Sequence, residues 1–139
     1  MLISDCMKRE VKTVSTGTTV ASAVKEMANH NVGSLVIVEN QRPVGIFTER
    51  DLLKRVVAPG KDPAKMKIGD VMTKDVFTVE AGEFIGNVYH SLTEKGIRHA
   101  PVVEKGVLVG IVSARDLARI LDAQIYSLYF KKKDLSGDY

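Results

Sequence analysis

The chain has 139 residues, 45% of them hydrophobic and 27% charged, with 20 Lys and Arg against 17 Asp and Glu for a formal net charge of +3. That balance suits one globular unit or two small ones, and it is too weakly basic to mark a nucleic-acid footprint by itself. A single cysteine, Cys6, excludes an intrachain disulfide and a cysteine-based metal site, as expected of a reducing compartment.

In chain order, the opening MLISDCMKRE places Asp5 where a secretory leader needs an unbroken apolar segment. No later run approaches the roughly 20 apolar residues of a membrane span, so a soluble, cytoplasmic protein is expected. VKTV (11–14) is predicted as a short strand. TTVASAVKEMANH (18–30) is predicted as a helix, with Val20, Ala23, Val24, Met27 and Ala28 on one face and Thr18 or Thr19 as its cap. SLVIVE (34–39) and PVGIF (43–47) form a hairpin across the polar NQR, and ERDLLKRVV (49–57) returns to helical spacing. APGKDPAKMK (58–67), with two prolines, a glycine and charges, marks a junction.

The same course follows through VFTV (76–79), EFIGNVYHSLTEKG (83–96), HAPVVE (99–104), VLVGIV (107–112) and ARDLARILDAQIYSLYF (114–130). The chain therefore divides into a first repeat over 1–60, a linker over 61–67, a second repeat over 68–122, a helical extension over 123–130 and a disordered tail over 131–139. The expected fold class is α/β of mixed α+β type, two βαββα units packed about a pseudo-two-fold axis. Each half alone would bury only roughly 60% of its unfolded surface, so the halves are expected to pack together.

The repeat holds one register without a gap. A shift of 65 residues superimposes Ile3 on Ile68, Asp5 on Asp70, Met7 on Met72, Val11 on Val76, Thr13 on Thr78 and Gly17 on Gly82. It continues through Val38 and Val103 to Gly45, Ile46, Arg50, Asp51 and Leu52, which fall on Gly110, Ile111, Arg115, Asp116 and Leu117.

The most informative match is GIFTERD (45–51) against GIVSARD (110–116), each at a strand-to-helix junction. Two readings stay open. In one, Thr48 and Ser113 are N-caps and Asp51 and Asp116 sit in first turns where the helix dipole favours negative charge. In the other, Gly45 and Gly110 let a ligand approach the strand end, and the carboxylates accept hydrogen bonds from a ribose diol. Free N–H groups at the helix start suit polar or anionic ligand atoms in either case.

These features together resemble the CBS domain, named after cystathionine β-synthase, in its usual tandem pair. The resemblance covers residues 1–122 and rests on the βαββα order, the VKTVSTGTTVASAVKEM opening, the IRHAPVVE segment and the G-I-x-(S/T)-x-x-D ending of both halves. It implies a regulatory sensor of AMP, ADP, ATP or S-adenosylmethionine, bound in two clefts between the repeats, and no resident cofactor.

By that resemblance Thr48 and Asp51 meet the ribose in one cleft, Ser113 and Asp116 in the other. Ile46 with Val76 and Phe77 resembles an adenine wall in the first, and Ile111 with Val11 and Lys12 in the second. Phosphates are expected at Arg98 and His99, whose counterparts Gly33 and Ser34 carry no charge, so the two clefts should differ. Arg98 supplies a permanent planar cation and His99 a pH-dependent one.

Other residues carry less. His30 and His90 have no partner spacing for metal, Arg50 and Arg115 read as charge-paired surface residues with a phosphate role open for either, and Cys6, aligned with Val71, reads as a small core residue. Pro101, lacking an N–H, fits an edge strand or a strand start. Neither a P-loop nor a catalytic triad can be assembled, so the chain is not expected to be an enzyme.

After Leu117, Ile120, Leu121 and Gln124, an apolar pattern continues through Ile125, Leu128 and Tyr129, with Tyr126 and Phe130 on an adjoining stripe, and it either crosses a homodimer interface or folds back on its own chain. The expected partners are a small adenosyl ligand, a second copy and an unidentified protein. The alternatives are a homo-oligomeric scaffold with empty clefts, or nucleic-acid binding through the basic tail.

Overall fold

The two halves adopt the expected βαββα order twice in a computed structural model that describes residues 1–130, so the expected disordered tail lies outside the described residues. Strand β1 (Thr13–Val14) runs parallel to β2 (Ser34–Glu39), which pairs antiparallel with β3 (Arg42–Thr48). Helix α1 (Val20–His30) lies between β1 and β2, and α2 (Glu49–Asp51) follows β3. In the second half β4 (Val79–Glu80), β5 (His99–Glu104) and β6 (Val107–Ser113) repeat that sheet, with α3 (Ile85–Lys95) and α4 (Ala114–Tyr129) as its helices. No helix among the described residues is long and apolar enough to cross a membrane.

Local chemistry explains most of these boundaries. Thr19 caps α1 by accepting a hydrogen bond from the Ser22 N–H at 3.1 Å. The hairpin turns use two residues, Asn40 and Gln41 at φ 51° and 66°, then Lys105 and Gly106 at 51° and 79°. Positive φ at both positions matches the twist of the flanking strands. Arg42, expected in the loop, therefore belongs to β3.

Three expectations change. Strands β1 and β4 are two residues each, shorter than VKTV and VFTV, although the Lys12 carbonyl before β1 still accepts from Val36 N–H at 3.2 Å. Ala28, expected on the apolar face of α1, is exposed, while Val20, Ala23 and Met27 are buried. ERDLLKRVV is not one α-helix: Leu52–Val57 is π-helical, closed by the Ala58 N–H bonding Leu53 O at 2.9 Å. The wider turn buries Val56 and leaves Leu53 and Val57 exposed.

Pro101 lies in the central strand of its sheet, and two details make this harmless. The parallel pairing from β4 begins one residue later, at Val102, and Pro101 faces Ile111, whose own N–H and C=O bond Lys8 instead.

Each half is completed by the opening of the other. Ile3 N–H bonds Glu83 O and Ser4 N–H bonds Ala81 O, so the first residues of the chain lie on the second repeat. Ile68 N–H bonds Thr18 O and Gly69 N–H bonds Thr16 O, so residues near the repeat junction lie on the first. Ile3 and Met7 are buried with Val79, Ile85, Leu92 and Val112, whereas Ile68, Val71 and Met72 are buried with Val20, Leu35 and Phe47. Burying each such side chain is worth about 1.5–3 kcal/mol, so the exchanged openings tie the halves into one unit. The sequence repeat and the packing unit are thus offset by about ten residues, and the linker is pinned by Val20 N–H to Met66 O and Ala21 N–H to Pro63 O.

Helix α4 runs straight through the expected extension. Ile125, Leu128 and Tyr129 are exposed at 54%, 78% and 76%, and Tyr126 and Phe130 stack on each other at 5.1 Å. Among the described residues, Ile125, Leu128 and Tyr129 are not covered by the extension's own chain.

Candidate functional site: two clefts between the repeats

The exchanged openings create two clefts related by the 65-residue shift. In one, Thr73 pairs with Ile46 through reciprocal N–H to O=C bonds of 2.9 and 3.0 Å; in the other, Lys8 pairs with Ile111 in the same way at 3.0 and 2.9 Å. Each opening segment thereby becomes a wall beside the strand that ends in the hydroxyl and carboxylate of the doubled motif.

The Asp51 cleft, about 330 Å³, is lined by Ile46, Thr48, Glu49, Arg50, Asp51 and Thr73, and across from them by Ile97, Arg98 and His99. The Asp116 cleft, about 740 Å³, is lined by Ile111, Ser113, Arg115 and Asp116, with Lys8 to Lys12 and His30 to Ser34 opposite. Both volumes fall in the range of small-molecule sites, roughly 300–1,000 Å³.

The two carboxylates differ in what already holds them. Asp51, 9% exposed, accepts from Thr48 N–H at 3.0 Å and Thr48 Oγ1 at 3.2 Å, while its own N–H donates to Thr48 Oγ1 at 3.2 Å. Thr73 Oγ1 adds a longer contact to Oδ1 at 3.4 Å, and Arg55 Nε stands 3.7 Å from the same oxygen. The Asp116 N–H donates to Ser113 Oγ at 3.0 Å, with no matching bond back to its carboxylate among the described residues. The hydroxyls are thus caps, and both aspartates also line clefts.

Arg55 was not singled out by the sequence. Its guanidinium also donates to Val71 O at 3.1 Å and Met72 O at 3.0 Å, fastening the first repeat to the opening of the second. Its position four residues after Asp51 was the available signal. The aligned residue is Ile120, so the second repeat lacks this clamp.

Val11 and Lys12 line the Asp116 cleft as expected, but Val76 and Phe77 do not line the Asp51 cleft. Phe77 packs on the second core, with Lys95 Nζ 5.2 Å from its ring centre, and Thr73 and Ile97 stand with Ile46 instead. Arg98 lies in the Asp51 cleft, whereas His99 reaches both. Burial pushes the His99 imidazole below its ordinary pKa, with Arg98 and Lys8 adding to the shift and Asp116 opposing it.

The motif glycines serve packing. A Cβ on Gly45 would run into the Met72 thioether, and one on Gly110 would stand 2.6 Å from Met7 Sδ and 2.9 Å from Lys8 O. They admit the exchanged methionines rather than a ligand. Arg50 and Arg115, expected to be charge-paired, line the clefts and form no ion pair among the described residues. His30 and His90 pair with Glu26 and Glu94 at 3.2 and 3.1 Å, and no group of three metal-ligating side chains occurs among the described residues. Cys6 packs at the edge of the second core, where burial raises its thiol pKa.

The family model described as CBS domain matches the chain twice, over residues 3–58 and 68–123. An uncharacterized protein of Methanopyrus kandleri is 37% identical over 85% of this chain and 61% of its own length. A mitochondrial CBS domain-containing protein of Arabidopsis thaliana is also 37% identical, over 84% of this chain. The chain spans less than two thirds of both relatives, the second at 63%. Among solved structures, the CBS domain pair of protein MJ0100 in complex with 5′-methylthioadenosine and S-adenosylmethionine superposes with a TM-score of 0.79 at 27% identity. That match covers 89% of this chain and 98% of the other.

Proposed function

The chain belongs to the CBS-domain family as a tandem pair, and from that premise we propose a regulatory module that takes an adenosyl ligand in its two clefts and signals occupancy to a protein partner. CBS pairs are regulatory modules. The observation that carries the reading is the doubled arrangement of a hydroxyl and a carboxylate three residues apart, each on the wall of a cleft completed by the other repeat. A ribose diol can donate two hydrogen bonds to such a carboxylate, and Ile46 or Ile111 offers apolar surface beside it for a base. The two adenosyl compounds carried by the MJ0100 pair support the same ligand class.

Because each cleft takes walls from both repeats, a ligand favours whichever relative placement of the halves it fits best. It shifts that equilibrium by its difference in affinity for the alternatives. No catalytic step is assigned to the chain. Self-association completes the proposal: Leu53, Val57 and Phe84 are each 60% exposed, and α4 leaves Leu128 and Tyr129 uncovered, more apolar surface than an isolated chain needs.

The test is calorimetric titration with AMP, ADP, ATP and S-adenosylmethionine of wild-type protein and Asp116→Asn. Saturable binding by at least one compound, weakened roughly tenfold by the substitution, supports the reading. No heat of binding from any of the four returns both aspartates to helix capping and favours the oligomeric scaffold.

A further inference from the structure

The two clefts share a motif but not a charge. The Asp116 cleft is lined by four permanent cations, Lys8, Arg9, Lys12 and Arg115, against the carboxylates of Glu10 and Asp116. His30 and His99 also line it, and His99 lines the Asp51 cleft as well. The Asp51 cleft holds Arg50 and Arg98 against Glu49 and Asp51, an even balance in less than half the volume.

The difference comes from particular substitutions within the repeat. Lys8 is replaced by Thr73 in the aligned wall, and Lys12 by Phe77, which is drawn onto the second core under Lys95. Arg9 aligns with Lys74 and His30 with Lys95, but neither lysine lines the Asp51 cleft, and Lys95 is held over the Phe77 ring. Arg55 and Thr73 also stand at the Asp51 carboxylate, whereas the Asp116 carboxylate has neither neighbour.

We propose that the clefts are specialised by charge. The Asp116 cleft takes an adenosyl ligand bearing a multiply charged phosphate chain, and the Asp51 cleft takes one with little or no net negative charge. This rests on the adenosyl reading above and adds to it which cleft receives which chemistry. It also moves phosphate recognition from Arg98, where the resemblance centred it, to Lys8 and Lys12 together with Arg115, for which the sequence left that role open. Cations grouped in a concave site raise the local concentration of an anion and hold its oxygens by charge-assisted bonds. In the balanced cleft the same phosphates would meet Glu49 as well as Arg98.

The experiment titrates ATP and uncharged 5′-methylthioadenosine into full-length wild type, a Lys12→Ala/Arg115→Ala double variant and Arg98→Ala, with thermal melts to verify folding. Lys12 and Arg115 are exposed, so their removal is not expected to unfold the chain. The expected result is ATP affinity reduced tenfold or more in the double variant and less than about threefold in Arg98→Ala, with 5′-methylthioadenosine affinity unchanged in the double variant. ATP binding should also weaken with added salt in wild type and lose much of that dependence in the double variant. ATP affinity that falls in Arg98→Ala and not in the double variant overturns the assignment. If 5′-methylthioadenosine binds wild type and ATP does not, the charge proposal fails while the adenosyl reading stands. If neither binds, both fail.

Discussion

Gly110→Ala tests whether the exchanged openings hold the pair together. The new Cβ would lie 2.6 Å from Met7 Sδ and 2.9 Å from both Met7 Cγ and Lys8 O, where ordinary contact begins at 3.4 Å. The thioether can turn, but Lys8 O is backbone, held by its bond from Ile111 N–H at 2.9 Å. Detaching the opening would expose Ile3 and Met7, a loss of about 1.5–3 kcal/mol each. Overpacking costs about 1–3 kcal/mol, so the opening stays docked and the strain appears as lost stability of that size. Gly82→Ala is the control, since a Cβ there meets nothing within 4 Å and its φ is not in the left-handed region. Equilibrium urea unfolding should show Gly110→Ala less stable than wild type by about 1–3 kcal/mol and Gly82→Ala within about 0.5 kcal/mol. A Gly110→Ala protein as stable as the control would refute the packing account of the motif glycine.

Further outcomes follow from the site. Asp51→Ala removes an acceptor for Thr48 N–H, Thr48 Oγ1 and Thr73 Oγ1 and should cost about 1–3 kcal/mol in the same unfolding assay. Asp116→Ala gives up mainly a favourable dipole contact and should cost about 0.3–1 kcal/mol, so equal losses would contradict the asymmetry of the carboxylates. His99 has a folded-state pKa below the ordinary 6.5, so the unfolded chain takes up its proton first as pH falls. Stability is therefore complete above that ordinary value and declines as pH drops from it toward the lowered one. Comparing unfolding at about pH 7.5 and about pH 5.5, His99→Gln should lose less stability than wild type, and an identical loss would show that His99 is not the titrating group.

Much of this molecule is legible in its sequence because the signals are local and doubled. The 65-residue register located the helices, hairpins and capped junctions, since Thr48 with Asp51 and Ser113 with Asp116 act within one turn. What escaped depends on distant contacts. Nothing in MLISDCMKRE says that Ile3 and Met7 complete the second core, and nothing near Phe77 says that its ring turns away from the cleft. Gly45 and Gly110 were marked as special correctly, but their reason lies in methionines from the other repeat. The charge of the larger cleft was hidden for the same reason: Lys8 and Arg115 lie more than a hundred positions apart and meet only on folding.

The most direct measurement is a crystal structure of the protein grown with saturating ATP. The account predicts the ribose hydroxyls within hydrogen-bond distance of the Asp116 carboxylate, the base beside Ile111 and the phosphates among Lys8, Lys12 and Arg115. Nucleotide bound away from both clefts, with Asp51 and Asp116 contacting only protein, would contradict it.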